Sequence, residues 1–129
     1  MTSRVRGRRL WCKVTAHGGT IPVYVTKNDA LLKDDDGSDV DAYYDPEVPC
    51  ILVKHTGNVA MMQQRLHHEL LHVCFGAHSG DARAQVLGAK TVEGRAKREE
   101  AIVSFVEPVQ FDLLVRNGFL KYPKPPRLT

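Results

Sequence analysis

Residues 58–76 form the part of this chain that most constrains its fold. Asn58 is a typical helix N-cap and Gly76 a typical helix stop. At about 100° per residue, the apolar side chains between them fall in one sector, namely Val59, Met62, Leu66, Leu70 and Val73. We therefore predict an amphipathic helix whose apolar stripe faces a core.

Two histidines of this helix, His68 and His72, occupy a different sector. Because they are one helical turn apart, both imidazoles can point at one ion, and the spacing suits Zn²⁺ at about 2 Å from each nitrogen. Glu69 is turned by about 100° around the helix axis from the first histidine. There its carboxylate can take a proton from a metal-activated water. The sequence HELLH therefore predicts two metal ligands and a general base within five consecutive helical residues.

A catalytic zinc site needs a third protein ligand and keeps one position open. His78 stands where the metzincin pattern HExxHxxGxxH places its last histidine, but Phe75 replaces the required glycine. An aromatic side chain resists the unusual backbone angle that glycine allows there. The other candidate is a carboxylate on a later helix, which is the gluzincin arrangement.

Two adjacent acids, Glu99 and Glu100, lie in that later helix. Glu100 has Ser104 one turn further on, whereas Glu99 has Val103, which can accept no hydrogen bond. We therefore choose Glu100 as the third ligand and Ser104 as the group that supports it. His78 stays open as the alternative ligand.

Outside these motifs, the sequence predicts an α+β fold with a small, mostly antiparallel sheet of about four strands. The β-rich runs are 10–15, 21–26, 42–44 and 50–54, and the first two predict a hairpin around Gly18 and Gly19. A helix is expected over 95–106, and Pro108 should kink it or start another that ends at Asn117 and Gly118. We expect one domain over 1–129, with flexible tails at 1–8 and 121–129.

Composition indicates which class of protein and which cellular compartment to expect. Hydrophobic residues make up 43% and charged residues 26% of the 129 residues, as in folded globular domains. No apolar run approaches the roughly 18 residues of a membrane helix, and no signal-peptide pattern follows the basic start. Three widely spaced cysteines, Cys12, Cys50 and Cys74, are typical of reduced thiols. We therefore expect a cytoplasmic protein that does not contact a membrane.

The net charge of +3 is concentrated at the two ends of the chain. Nucleic-acid interfaces often interleave aromatic residues with basic ones, and the basic ends of this chain lack that pattern. We therefore expect a peptide or protein substrate as the main partner rather than a nucleic acid. The sequence does not predict the oligomeric state.

The order of features resembles the ImmA/IrrE-type metallopeptidases and related small phage-borne zincins. The resemblance covers about 21–119: a short sheet, the apolar strand 50–54, a polar link at 63–65, HELLH, and then an acidic helix. The family's later helix reads approximately ExxAN, so Ser104 replaces the asparagine here. The resemblance implies a minimal gluzincin fold, Zn²⁺ at His68, His72 and Glu100, and Glu69 as the base for peptide-bond hydrolysis.

Two other functions stay open at this point: a zinc-binding regulatory or interaction module without catalysis, and a basic nucleic-acid-associated protein. The donor to the oxyanion also stays open among Tyr43, Tyr44, His67 and His78. By analogy with zincins, the strand 50–54 is expected to form a wall of the substrate cleft.

Overall fold

The computed structural model describes residues 7–16, 19–34, 36–76 and 85–128, which form an α+β fold around a four-stranded sheet. Its strands are β1 (Arg8–Ala16), β2 (Gly19–Thr26), β3 (Ala42–Asp45) and β4 (Cys50–Lys54), in the order β1-β2-β4-β3. β1 runs antiparallel to β2, and β3 antiparallel to β4, but β2 and β4 are parallel. All four predicted strands form, and the parallel pair makes the sheet mixed.

One face of the sheet forms the core with helix α1 (Val59–Gly76). The alternating residues of β2 and β4 that face α1 are fully or almost fully buried, namely Ile21, Val23, Val25, Ile51 and Val53. From α1 they meet Met62, Leu66 and Val73. The predicted apolar stripe therefore faces the core, except that Val59 at the first helical position is 39% exposed.

Both ends of α1 follow the predicted signals. The side-chain oxygen of Asn58 accepts a hydrogen bond from the backbone N–H of Met61 at 3.1 Å, which satisfies one of the free donors of the first turn. The helix ends at Gly76, as predicted. The capped helix holds its histidines on a face that points away from the sheet and toward the second long helix.

That second helix is α2 (Val92–Phe111). It begins before the predicted position because Thr91 caps it, accepting a hydrogen bond from the backbone N–H of Gly94 at 3.0 Å. The helix continues through Pro108, and a π-helical turn (Asp112–Arg116) follows before the chain turns at Asn117 and Gly118. Among the described residues, no helix combines the length and the apolar character that crossing a bilayer requires.

The C-terminal segment 121–128 packs on the sheet and on α1. The indole N–H of Trp11 donates to the Pro123 carbonyl at 3.1 Å, and the Gln63 amide donates to the Tyr122 carbonyl at 3.1 Å. The His55 ring lies 3.1 Å from the Pro126 carbonyl. In the segment that the sequence predicts to be a flexible tail, the described part thus contacts side chains of β1 and α1 and the residue after β4. Residues 1–6 and 129 lie outside the described residues.

The three cysteines carry free thiols: Cys50 is buried, Cys12 is half-buried and Cys74 is exposed. Burial raises the pKa of the Cys12 and Cys50 thiols, which keeps both protonated and unreactive near neutral pH. They pack as small apolar side chains, in line with the prediction of reduced thiols.

Candidate metal centre

Helices α1 and α2 bring together the three residues that the sequence proposes as ligands. Nε2 of His68 lies 3.1 Å from Oε1 of Glu100, and Nε2 of His72 lies 2.7 Å from Oε2 of the same carboxylate. The donor atoms of the three side chains all lie within 4.8 Å of one another. This group can hold a metal ion.

The donor set agrees with the chemistry of a catalytic zinc site, in which histidine nitrogens and a carboxylate oxygen leave one position free. Around a tetrahedral ion with bonds of about 2 Å, neighbouring donor atoms lie about 3.3 Å apart. The observed separations of 2.7 and 3.1 Å, each from one histidine nitrogen to one oxygen of Glu100, are close to this value. Glu100 is 54% exposed, so one side of the group is open to solvent.

The other nitrogen of His72 has its own carboxylate partner. Oε2 of Glu99 lies 2.7 Å from Nδ1, and this carboxylate is only 13% exposed. Burial alone would lower the pKa of His72, but the hydrogen bond to Glu99 and the charges of Glu69, Glu100 and Glu99 outweigh it and raise that pKa. Glu99 therefore fixes the ring orientation and favours Nε2 as the metal-binding nitrogen.

His68 has a similar but looser partner. Its Nδ1 lies 3.8 Å from Oε1 of Glu107, which is an ion-pair distance rather than a hydrogen bond. Glu107 is buried, and its Oε2 accepts a hydrogen bond from the Gln64 amide at 2.9 Å. Each histidine thus has Glu100 at Nε2 and a second acid from α2 at Nδ1.

Two predicted residues of the site remain, namely Ser104 as the supporting group and His78 as the alternative ligand. Ser104 donates a hydrogen bond from its hydroxyl to Oε1 of Glu100 at 3.1 Å, one turn along α2, which is the supporting position that the sequence suggests. His78, the alternative third ligand, lies outside the described residues. The described residues supply three donors without it.

Glu69, the predicted base, is buried in this centre at 8% exposure. Burial raises the pKa of its carboxyl to about 7, with the His72 charge opposing the rise and the Glu100 charge adding to it. A carboxyl group with a pKa near neutrality can both accept and return a proton at working pH. The charge interactions with His72 and Glu100 place this carboxyl beside the centre, and it is not one of the three donor groups.

His67 precedes the motif but belongs to a different part of the molecule. Nδ1 of its buried ring contacts the Tyr122 hydroxyl, and Nε2 lies 2.7 Å from the side-chain oxygen of Gln110. Both ring nitrogens therefore have partners away from the centre, so His67 is not a donor to an oxyanion. Its role is to join α1, α2 and the C-terminal segment.

Comparison of the chain with known protein families, with characterised proteins and with solved structures finds no match.

Proposed function

We propose that this chain is a zinc-dependent peptidase with a zincin-like fold, in which His68, His72 and Glu100 bind zinc and Glu69 is the general base. One observation carries the proposal: the buried carboxyl group of Glu69 lies between two histidines on α1 that form a three-donor group with Glu100 of α2. Metal-assisted hydrolysis uses this combination of an open ligand set and a proton acceptor.

Bound zinc supplies a Lewis acid that acidifies water and polarises the scissile carbonyl. Glu69 takes one proton from the attacking water, whose oxygen bonds to the carbonyl carbon. The carbon–nitrogen bond then breaks, and Glu69 passes its proton to the leaving nitrogen. Glu69 is not among the three donors of the metal group, so its carboxylate remains available to take and return this proton.

Neighbouring polar side chains support this chemistry by holding the metal-binding residues in place. Glu99 orients His72, Glu107 lies beside His68, and Ser104 holds one oxygen of Glu100. Such partners keep ligands close to the geometry that binding requires, so less ordering is needed when the ion arrives.

The sheet suggests where an extended substrate would lie. β4 pairs with β2 on one side and with β3 on the other, so the strand expected to form the cleft wall has no free edge. Among the described strands, β3 is the last on that side, and it contacts α1. We therefore place the proposed substrate strand along β3, where main-chain hydrogen bonds can hold it.

Tyr44 of β3 is our candidate to assist at the oxyanion, because its hydroxyl lies beside the end of α1, one turn beyond His72. A Cβ added at Gly76, the last residue of α1, would lie 3.7 Å from the Tyr44 hydroxyl. Burial, followed by the charges of Asp45 and Glu99, raises the pKa of Tyr44, so its hydroxyl remains a proton donor at neutral pH.

The test compares Glu69→Gln with the parent for zinc content and for cleavage of a peptide panel and unfolded casein. We expect Glu69→Gln to retain zinc and to lose activity by about 10²-fold or more, the range for a general base. Glu93→Gln is the matched control, because Glu93 is exposed in the first turn of α2. Undiminished cleavage by Glu69→Gln would contradict the mechanism, and a zinc-loaded parent that cleaves nothing would favour a non-catalytic zinc module.

A further inference from the structure

A second cluster of polar side chains surrounds a cavity where β1 begins and β2 ends. The cavity has a volume of about 510 Å³ and is lined in part by Arg8, Arg9, Lys27 and Arg127. No acidic residue is among the described residues that line it. Cations from three distant parts of the sequence therefore share one open space.

Two of these cations donate hydrogen bonds to neutral carbonyl groups. Nη1 of Arg9 donates to the Arg127 carbonyl at 2.9 Å, and Nζ of Lys27 donates to the Leu128 carbonyl at 3.1 Å. Among the described residues, no ion pair involves Arg9, Lys27 or Arg127. Carbonyl contacts therefore hold Arg9 and Lys27 at this cavity without neutralising their charges, and Arg127 lines the same space.

Arg8 is held differently from the other three. Its guanidinium lies over the Tyr24 ring, 4.1 Å from the ring centroid, which is a cation–π contact. Arg8 thus has an aromatic partner of its own and takes no direct part in the proposed site.

Like charges that share a cavity repel one another, and an anion between them removes that repulsion. Guanidinium and ammonium groups are the side chains that bind phosphate best, because they make charge-assisted hydrogen bonds to its oxygens. Ligand pockets commonly measure about 300–1,000 Å³, so the observed 510 Å³ has room for more than one phosphate group.

We propose that this cavity is a binding site for phosphate groups, held by Arg9, Lys27 and Arg127. The same chemistry is offered by a small phosphorylated molecule and by a nucleic-acid backbone, and binding experiments can separate these two sources. The site does not depend on the metal centre or on the peptidase activity, because its residues lie on β1, the end of β2 and the C-terminal segment.

The first experiment titrates pyrophosphate into the whole chain by calorimetry. Because phosphates also bind metal ions, every titration is repeated in His72→Ala, which lacks a proposed zinc ligand. We expect saturable binding in both proteins and a loss of at least about tenfold in affinity in Arg9→Gln with Lys27→Gln, since two charge-assisted contacts are removed. Lys13→Gln, which removes an exposed charge further along β1, should bind like the parent.

The second experiment replaces pyrophosphate with a single-stranded oligonucleotide of mixed sequence at several salt concentrations. If a backbone is the source, the slope of log K against log salt should become shallower by about 0.7 for each cation removed. Thermal unfolding of every variant shows whether the fold is intact. If Arg9→Gln does not fold, Arg9→Lys replaces it, because lysine keeps the charge but loses the guanidinium contacts.

Loss of pyrophosphate binding in the double variant supports the site with a small ligand as the source. Loss of oligonucleotide binding alone supports it with a backbone as the source. If neither probe binds the parent, or if the folded double variant binds both as well as the parent does, the proposal is overturned. Binding that disappears in His72→Ala also overturns it, because the phosphate would then be bound at the metal centre.

Discussion

Oε2 of Glu99 lies 2.7 Å from Nδ1 of His72, on the side of the ring opposite the proposed metal position. Removal of such a partner leaves the ligands in place but frees the ring to turn, and typically costs 10- to 100-fold, or about 1.4–2.8 kcal/mol, in metal affinity. We expect Glu99→Ala, which removes the acceptor, to weaken zinc binding by about this factor, measured by competition with a fluorescent chelator. Equal affinities in Glu99→Ala and in the exposed control Glu93→Ala would show that Glu99 does not orient the ligand.

The metal-free protein should lose stability as pH rises. The folded-state pKa of Glu69 is raised from 4.5 to about 7, so its contribution is fully present below pH 4.5 and is lost as pH rises through 7. The raised pKa of His72 acts in the same direction. With chelator present, the free energy of unfolding should fall by on the order of 3 kcal/mol between pH 5 and pH 8, measured by urea denaturation.

The Glu69→Gln variant separates this effect from the rest of the titration. Glutamine has the same shape and cannot ionise, so the fall in stability between pH 5 and pH 8 should shrink by more than half. A decrease equal to that of the parent would mean that the Glu69 carboxyl is not buried in the metal-free protein.

Tyr122 should contribute to stability through its hydroxyl group. That hydroxyl contacts Nδ1 of the buried His67 ring, and burial raises the pKa of Tyr122 to about 12. Tyr122→Phe retains the ring but leaves the His67 nitrogen without a partner, so we expect a loss of about 1–3 kcal/mol in the free energy of unfolding. Phe119→Leu is the control, because Phe119 is 81% exposed. A loss of the same size in the control would remove the reason for assigning the effect to the hydroxyl.

Local signals in the sequence predict the sheet and α1 well. The strands follow β-branched and aromatic runs, Asn58 caps the start of α1, and Gly76 is its last described residue. The start of α2 is missed because Gly94 reads as a helix breaker, although the Thr91 side chain caps the first turn. The outcome at Gly94 shows that a favourable cap can outweigh the low helix propensity of one glycine.

Long-range contacts explain what the sequence does not predict. Helix periodicity places Ser104 one turn from Glu100, and the two are hydrogen bonded. Glu99 reaches across to His72 of α1, and the periodicity of one helix carries no information about its neighbour. The one signal in the sequence is the metal-ligand role proposed for His72, because the ring nitrogen that does not bind the metal usually needs a hydrogen-bond acceptor. The packing of the segment 121–128 likewise depends on Trp11 and Gln63, which lie far away in the sequence.

The most direct test of the account is the zinc content of the purified protein by elemental analysis, beside His72→Ala, Glu100→Ala and His78→Ala. We predict about one zinc ion per chain in the parent and in His78→Ala, and little or none in His72→Ala and Glu100→Ala, since a catalytic zinc needs three protein ligands. Retention of zinc by Glu100→Ala together with its loss from His78→Ala would contradict the ligand set. A parent that binds no zinc even when zinc is supplied would contradict the metal centre itself.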